Sequence, residues 1–203
     1  MTNTEVISSV KDQRLIEKRR KQMIQGAITL FKKKGFHRTT TREIAKESGF
    51  SIGTLYEYIR TKEDVLFLVV DAIYEEVQSR LMTMVDVADP SLEHLMKVID
   101  SYFRVVDDMQ EEIIIMYQEV KALKKPTQES VLQKERDMVK ILNQVIRTCA
   151  PNVDEANADL LANNIFVQGH MWGFRRWALQ KQFTLDEYIE RQLGFIQSVI
   201  IHL

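Results

Sequence analysis

The stretch TTTREIAKESGFSIGTLYEYIRTKEDVL, residues 39–66, sets two short apolar periods either side of a glycine and closes in hydroxyls and aromatics before Lys62. Thr40 followed by Glu43 makes a capping box, in which each side chain satisfies a backbone N–H that the start of a helix leaves free. The helix it opens turns Ile44 and Ala45 inward and stops at Gly49 after two turns, because glycine takes a left-handed backbone at little cost. Ser51 caps a third helix reaching about Tyr58, and Thr61 with Asp64 caps a long fourth one carrying Val65, Leu68, Val69, Ala72, Ile73 and Val77. Upstream, from about Arg14 to Lys34, Met23, Ala27, Leu30 and Phe31 share one helical face, and Gly35 supplies the stop.

One amphipathic helix followed by two short helices and a tight glycine turn are the parts of a helix-turn-helix. Leu55 and Ile59, four apart, are expected to face the core, which leaves Ser51, Gly53, Thr54, Tyr56 and Tyr58 to project outward or along the sides. Hydroxyls donate to phosphate oxygens or base edges, aromatic rings touch thymine methyls or sugars, and a glycine lets the backbone come close. A solvated face would carry Glu and Lys instead, and a core would not hold so many hydroxyls. The third helix therefore reads as an exposed surface for a polyanion.

The charge distribution points the same way. Residues 1–62 carry fourteen Lys and Arg against six Asp and Glu, net +8; residues 63–203 carry fourteen against twenty-three, net −9, so the overall −1 hides a segregation. A basic third beside an acidic remainder suits a polyanion-binding module joined to a different domain, against the plainer reading of clustered solvated lysines such as Lys32–Lys34. The expected division is a DNA-binding domain over 1–62, with a disordered lead-in over 1–13, and a helical effector-binding and dimerisation domain over 63–203.

With 203 residues, 45% of them hydrophobic, three Pro, seven Gly and apolar spacings of three and four, the chain is expected to be all-α, with about nine helices. It shows no signal-peptide pattern and no run near the ~18 apolar residues that span a bilayer, so its expected place is the cytoplasm, with no membrane partner. The single cysteine, Cys149, cannot form an intramolecular disulfide and reads as a buried structural thiol. Asp89 and Pro90 are expected to open a fifth helix ending near Asp107. A sixth covers roughly Glu112 to Leu123, a seventh runs from Pro126 to about Thr148, an eighth from Asp154 to about Gln180, and a ninth from Thr184 to the end.

The residues from Leu30 to Leu66, LFKKKGFHRTTTREIAKESGFSIGTLYEYIRTKEDVL, resemble the DNA-binding domain of the TetR family of bacterial repressors. They share an aromatic before a glycine stop, paired threonines opening the second helix, Ile-Ala, a glycine turn, Gly-Thr-x-Tyr in the third helix and a lysine opening the fourth. Phe50 and Ile59 stand where Val and Phe are commoner, both apolar exchanges. The resemblance implies that Thr40 and Thr41 clamp the phosphate backbone and that Arg42 reaches a phosphate or a guanine edge. It implies that Ser51, Gly53, Thr54, Tyr56 and Tyr58 meet the groove, and that Lys62 adds its ammonium to free N–H groups at the start of the fourth helix. It also implies a homodimer on a double-stranded operator, joined through the eighth and ninth helices. There Leu185, Ile189, Leu193, Ile196 and Ile200 form one stripe with Tyr188, Phe195 and Val199 beside it, and Gly169 and Gly173 permit close helix approach; burial within one subunit is the plainer alternative.

The helices beyond the reader invite a small-molecule effector. Tyr102, Phe103, Met116 and Tyr117 are candidate contacts, although Met and aromatics at helical spacing are more often plain core. The segment GHMWGFRRWAL, residues 169–179, sets Trp172, Arg175 and Arg176 within one turn of an otherwise apolar helix. Buried arginine needs an anionic partner, either an internal carboxylate or an acidic effector such as an acyl-coenzyme A. This segment and QEVKALKKPTQESVLQKERD, residues 118–137, resemble TetR-family regulators of lipid and acyl-CoA catabolism.

His37, His94, His170 and His202 are scattered, with no spacing that makes a metal site, and no nucleophile, phosphate loop or carboxylate pair is recognisable. Neither an enzyme nor a cofactor or metal is expected. The reading is a homodimeric, ligand-responsive repressor; the rival is a helical interaction protein of the same fold that binds a protein partner.

Overall fold

The computed structural model describes residues 6, 8–10, 12–86 and 89–203. These form ten α-helices and one 3-10 turn, with no strand among the described residues. The helices are α1 (Gln13–Lys34), α2 (Thr41–Glu47), α3 (Ile52–Tyr58), α4 (Lys62–Met84), α5 (Leu92–Asp108), α6 (Gln110–Glu119), α7 (Lys125–Cys149), α8 (Glu155–Phe174), α9 (Arg176–Leu179) and α10 (Leu185–His202). Two compact units divide the chain: one runs up to Tyr74 and takes in Ile115–Gln133, the other comprises Glu75–Ile114 and Lys134–Leu203.

In the first unit α1 packs on α2 and α3, and α2 on α3. The caps are those the sequence calls for. Thr40 and Glu43 make the capping box of α2, the Ser51 hydroxyl accepts from Thr54 N–H at the start of α3, and Gly35 and Gly49 take φ of 79° and 76°. Met23, Ala27, Phe31, Ile44 and Ala45 are buried, while Leu30 is half-buried. Glu43 also meets Lys34 at 2.5 Å, and that hydrogen bond, followed by those from Thr40, holds its carboxyl down to about 2.

Residues 1–5, 7 and 11 of the expected disordered lead-in lie outside the described residues. The rest of it is a strap rather than a fraying tail. Val6 is buried, and Arg20 donates to its carbonyl. Ser9 N–H and the Ser8 and Ser9 hydroxyls donate to the Glu57 carbonyl at 2.8, 3.0 and 3.0 Å. That carbonyl lies in the last turn of α3, where no intrahelical donor is available, so the strap supplies the missing partners.

In the second unit α5 packs against both α8 and α10. A Cβ at Gly169 would come within 2.7 Å of the Tyr102 ring, and one at Gly173 within 3.2 Å of Gln110 Cβ. Both glycines of α8 therefore admit neighbours of the same unit. The Tyr102 hydroxyl donates to Phe166 O at 3.0 Å, Trp172 Nε1 donates to Asp107 at 2.5 Å, and the Tyr188 hydroxyl donates to Gln168 O at 2.7 Å. Three boundaries differ from expectation. The sixth helix runs Gln110–Glu119, and a 3-10 turn over Val120–Ala122 stands in place of its expected end. Ser91, not Asp89, caps α5, its hydroxyl accepting from His94 N–H. The eighth helix ends at Phe174 instead of near Gln180: its last buried residue is Gly173, and a helix that loses its packed face loses most of its support.

His170 is buried between Tyr102, Phe166 and Phe174, and burial pushes its imidazole down to about 4. Above about pH 6.5 it is neutral folded or unfolded. Between pH 6.5 and 4 the unfolded chain takes the proton first, so stability falls as the pH falls, by up to about 3 kcal/mol. Urea denaturation between pH 7 and 5.5, above the range in which the unfolded chain's carboxyls begin to take protons, is expected to show the first part of this fall, and His170→Gln to flatten it.

Candidate functional site

The third helix divides cleanly into two faces. Leu55 is fully buried, Ile59 is 1% exposed, and Tyr58 is 2% exposed, whereas Tyr56 is 49% exposed. The expected outward placement of Tyr58 is therefore corrected: it lies three residues from Leu55, and at 3.6 residues per turn positions 55, 58 and 59 share the inward face. Tyr56 lies on the other side. Its hydroxyl pairs with that of Thr41 at 3.1 Å, joining the exposed side of α3 to the first residue of α2. Ser51, Gly53, Arg42 and Thr40 are exposed, and Thr41, Thr54 and Lys62 half-exposed.

Several of these hydroxyls already hold the local fold. Thr40 caps α2, and the Ser51 hydroxyl accepts from Thr54 N–H at 3.0 Å while pairing with the Thr54 hydroxyl at 3.0 Å. A phosphate oxygen only accepts, so meeting one means turning the hydroxyl proton away from the partner it has here, the Glu43 carboxylate for Thr40 and, where Ser51 is the donor, the Thr54 hydroxyl for Ser51. Lys62 sits differently from expectation. The N–H groups of Arg60 and Thr61 are taken by the Asp64 carboxylate, so they are not free for an anion beside Lys62. The Lys62 ammonium instead donates to Phe36 O and His37 O at 3.1 and 3.3 Å and lies 4.2 Å over the Phe36 ring. It pins the turn between α1 and α2, and its third N–H has no acceptor among the described residues. Thr39, absent from the sequence-predicted set, is buried and donates its hydroxyl to Gly35 O at 2.8 Å, closing the same turn. In the same unit Arg14, Lys18, Lys21 and Arg38 are exposed, and Arg19 stacks 5.0 Å over Phe50 in the turn before α3.

The expected effector contacts fall in both units. Tyr102, Phe103 and Trp172 are core residues of the second unit, whereas Met116, buried, and Tyr117, 37% exposed, belong to the first. Arg175 and Arg176 are exposed, which overturns the premise of buried arginines: they follow the end of α8, where the packed face has stopped. Arg175 stacks 4.9 Å over Trp177, itself 64% exposed. None of these residues lines the cavity of about 360 Å³ that the second unit does hold, between the end of α4, the start of α5 and the last turns of α7. The signal for it lies in His94 and Cys149, scattered polar residues on apolar faces, and is too weak to read from sequence. Among the described residues no His, Cys, Asp and Glu group is arranged for a metal ion, and no helix is long and apolar enough to cross a membrane.

Residues 23–69 match the family described as bacterial regulatory proteins, tetR family, and residues 88–177 match the tetracyclin repressor-like C-terminal domain. The chain belongs to the TetR family. It is 29% identical over 196 residues to the HTH-type transcriptional regulator HbdR of Aromatoleum sp. (strain CIB), covering 95% of this chain and 86% of that protein. It is 24% identical over 193 residues to the HTH-type transcriptional repressor KstR2 of Mycobacterium tuberculosis (strain ATCC 25618 / H37Rv), covering 89% and 94%. A bacterial regulatory protein of the tetR family from Rhodococcus RHA1 superposes with a TM-score of 0.76 at 20% identity, over 90% of this chain and 97% of that one. This TetR protein is a helix-turn-helix transcriptional regulator, and TetR regulators bind DNA operators and work as dimers.

The two tyrosines of α3 are expected to separate by stability. Tyr58→Ala empties a filled core site and should cost about 3–5 kcal/mol, whereas Tyr56→Ala should stay within about 1 kcal/mol of the parent. Urea unfolding of the two variants measures the difference.

Proposed function

We propose that the protein is a homodimeric repressor that grips its operator with the start of α2 and the exposed face of α3 and is released by a small hydrophobic effector. The observation that carries the DNA reading is the division of α3 into a buried side, Leu55 and Tyr58, and an exposed side, Gly53 and Tyr56, with hydroxyls and basic residues around it. In this reading Thr40, Thr41 and Ser51 meet phosphates, Arg42 and Tyr56 reach phosphate or base edges, Gly53 lets the backbone approach, and Lys62 offers its third N–H to a phosphate while holding its turn. A protein partner would be met by an apolar patch on this face, whereas the patch here is polar and basic.

One such helix reads few base pairs, so the dimer is needed to present two of them ~34–36 Å apart, or a multiple of that. The dimer seam proposed is the side of α8 and α10 that leaves Leu160, Val167, Phe195 and Val199 exposed. The stripe of Ile189, Ile196 and Ile200 is buried within the subunit and does not belong to it. A released operator requires that the effector bind the DNA-incompetent arrangement more tightly, by typically about 1–3 kcal/mol. A coenzyme A thioester is a second reading of the effector, favoured by the exposed stack of Arg175 on Trp177 with Arg176 next to it, a surface suited to a phosphorylated nucleotide.

Operator affinity, measured on a duplex selected from a random pool, is expected to fall linearly on a log-log scale as salt rises, with a slope of several units. Tyr56→Ala should weaken binding at least tenfold with the circular dichroism unchanged, whereas Lys62→Ala should weaken it and also lower the melting temperature. A flat salt dependence would favour the protein-partner reading. Separately, Phe195→Lys is expected to convert the dimer to a monomer in analytical ultracentrifugation and to lower operator affinity with it.

A further inference from the structure

The cavity of about 360 Å³ in the second unit has a floor of Val85, Ile141 and Val145, and a rim bearing the exposed Gln144 and Thr148. His94 lines it while only 7% exposed. Its Nε2 accepts from Asp86 N–H at 3.0 Å, which leaves the imidazole proton on Nδ1. Among the described residues that Nδ1–H has no acceptor. That donor is not sealed from solvent, and it belongs to a residue in the wall of a space large enough for a molecule, so the acceptor oxygen of a bound molecule takes the place of solvent there.

We propose that this cavity is the effector site and that it takes a compact, uncharged, mostly apolar molecule with one oxygen that accepts the His94 Nδ1–H. The assignment rests on the reading of the chain as an effector-released regulator and adds the place and the chemistry. Size sets the first limit. An apolar cavity of ~150 Å³ holds one benzene, so a space of about 360 Å³ suits two fused rings or an equal aliphatic bulk, at the low end of the ~300–1,000 Å³ range of ligand pockets. Charge sets the second. Among the described residues no lysine or arginine lines the cavity, and the Asp86 carboxylate stands among its lining residues, so an anion would lose its hydration without gaining a cationic partner. A coenzyme A ester is too large to enclose and carries the wrong charge.

The test uses the full chain with 1-naphthol, naphthalene, 1-naphthoate and butyryl-coenzyme A, read by thermal shift and calorimetry in the absence of DNA. 1-Naphthol is expected to raise the melting temperature by about 5 °C at a hundredfold excess over its Kd. Naphthalene, which lacks the acceptor, should bind about two- to tenfold more weakly, and 1-naphthoate at least tenfold more weakly. Val145→Phe, which fills the floor, should abolish the shift; Thr148→Trp, which blocks the rim from an exposed position, should do the same without touching the core. No stabilisation by 1-naphthol, or stabilisation that Thr148→Trp leaves intact, overturns the assignment, as does binding of butyryl-coenzyme A that Thr148→Trp removes. Release of the selected duplex is then measured for each ligand. Ligand binding without any operator binding would sink the regulator reading and leave the cavity assignment standing, while operator binding without ligand binding would do the reverse.

Discussion

The arrangement depends on one constraint, the seating of Leu55, Tyr58 and Ile59 in the core of the first unit. A seven-residue helix has too few internal hydrogen bonds to persist alone, since isolated helices of fewer than ~12–15 residues are marginal in water. The three inward side chains fasten α3 to its neighbours, and what they leave outside is fixed with them. Tyr56 and Gly53 face outward because Leu55 and Tyr58 face inward. Everything around α3 then serves to hold that rotation. The Ser51 cap fixes its start and the strap of Ser8 and Ser9 on the Glu57 carbonyl fixes its end. The Thr41–Tyr56 hydroxyl pair ties its exposed side to α2, and Lys62 pins the turn from which α2 departs.

Two kinds of polar group coexist on this face. Thr40, Ser51 and Thr39 do structural work that any well-capped helix needs, and their density explains part of the hydroxyl content of residues 39–54 without reference to a ligand. Tyr56 and Arg42 are not needed for the caps, and they are the residues for which an outside partner gives the better account. The second unit has the converse character. Its aromatic centre, Tyr102, Phe166 and His170, is closed by its own hydrogen bonds and close glycine contacts, whereas its open space lies at the end of α4, the start of α5 and the last turns of α7.

Much of this was legible in the chain. Caps and stops, such as Thr40 with Glu43, Thr184 with Glu187, and Gly35 and Gly49, are local, and local chemistry is what a sequence carries most directly. The fold class and the family followed from helical spacing and from one dense stretch of motif. The burial of Tyr58 is legible in the period that turns Leu55 and Ile59 inward, which includes position 58, although its polar hydroxyl and the family pattern point outward. Arg175 and Arg176 failed for a different reason. Their assumed burial required α8 to continue, and where a helix loses its packed face is decided by tertiary contacts. The cavity was invisible because its walls come from three segments distant in sequence, and the Ser8–Glu57 strap was hidden because a polar, aperiodic stretch carries no signal of its target.

The most direct measurement of the central claim is amide hydrogen exchange of the protein with and without its bound operator. The account predicts new protection over Thr40–Arg42 and Ser51–Glu57, with the amides of Ile44, Ala45 and the α1 core already slow and little changed. Protection absent from Ser51–Glu57, or confined to α8 and α10, would contradict it.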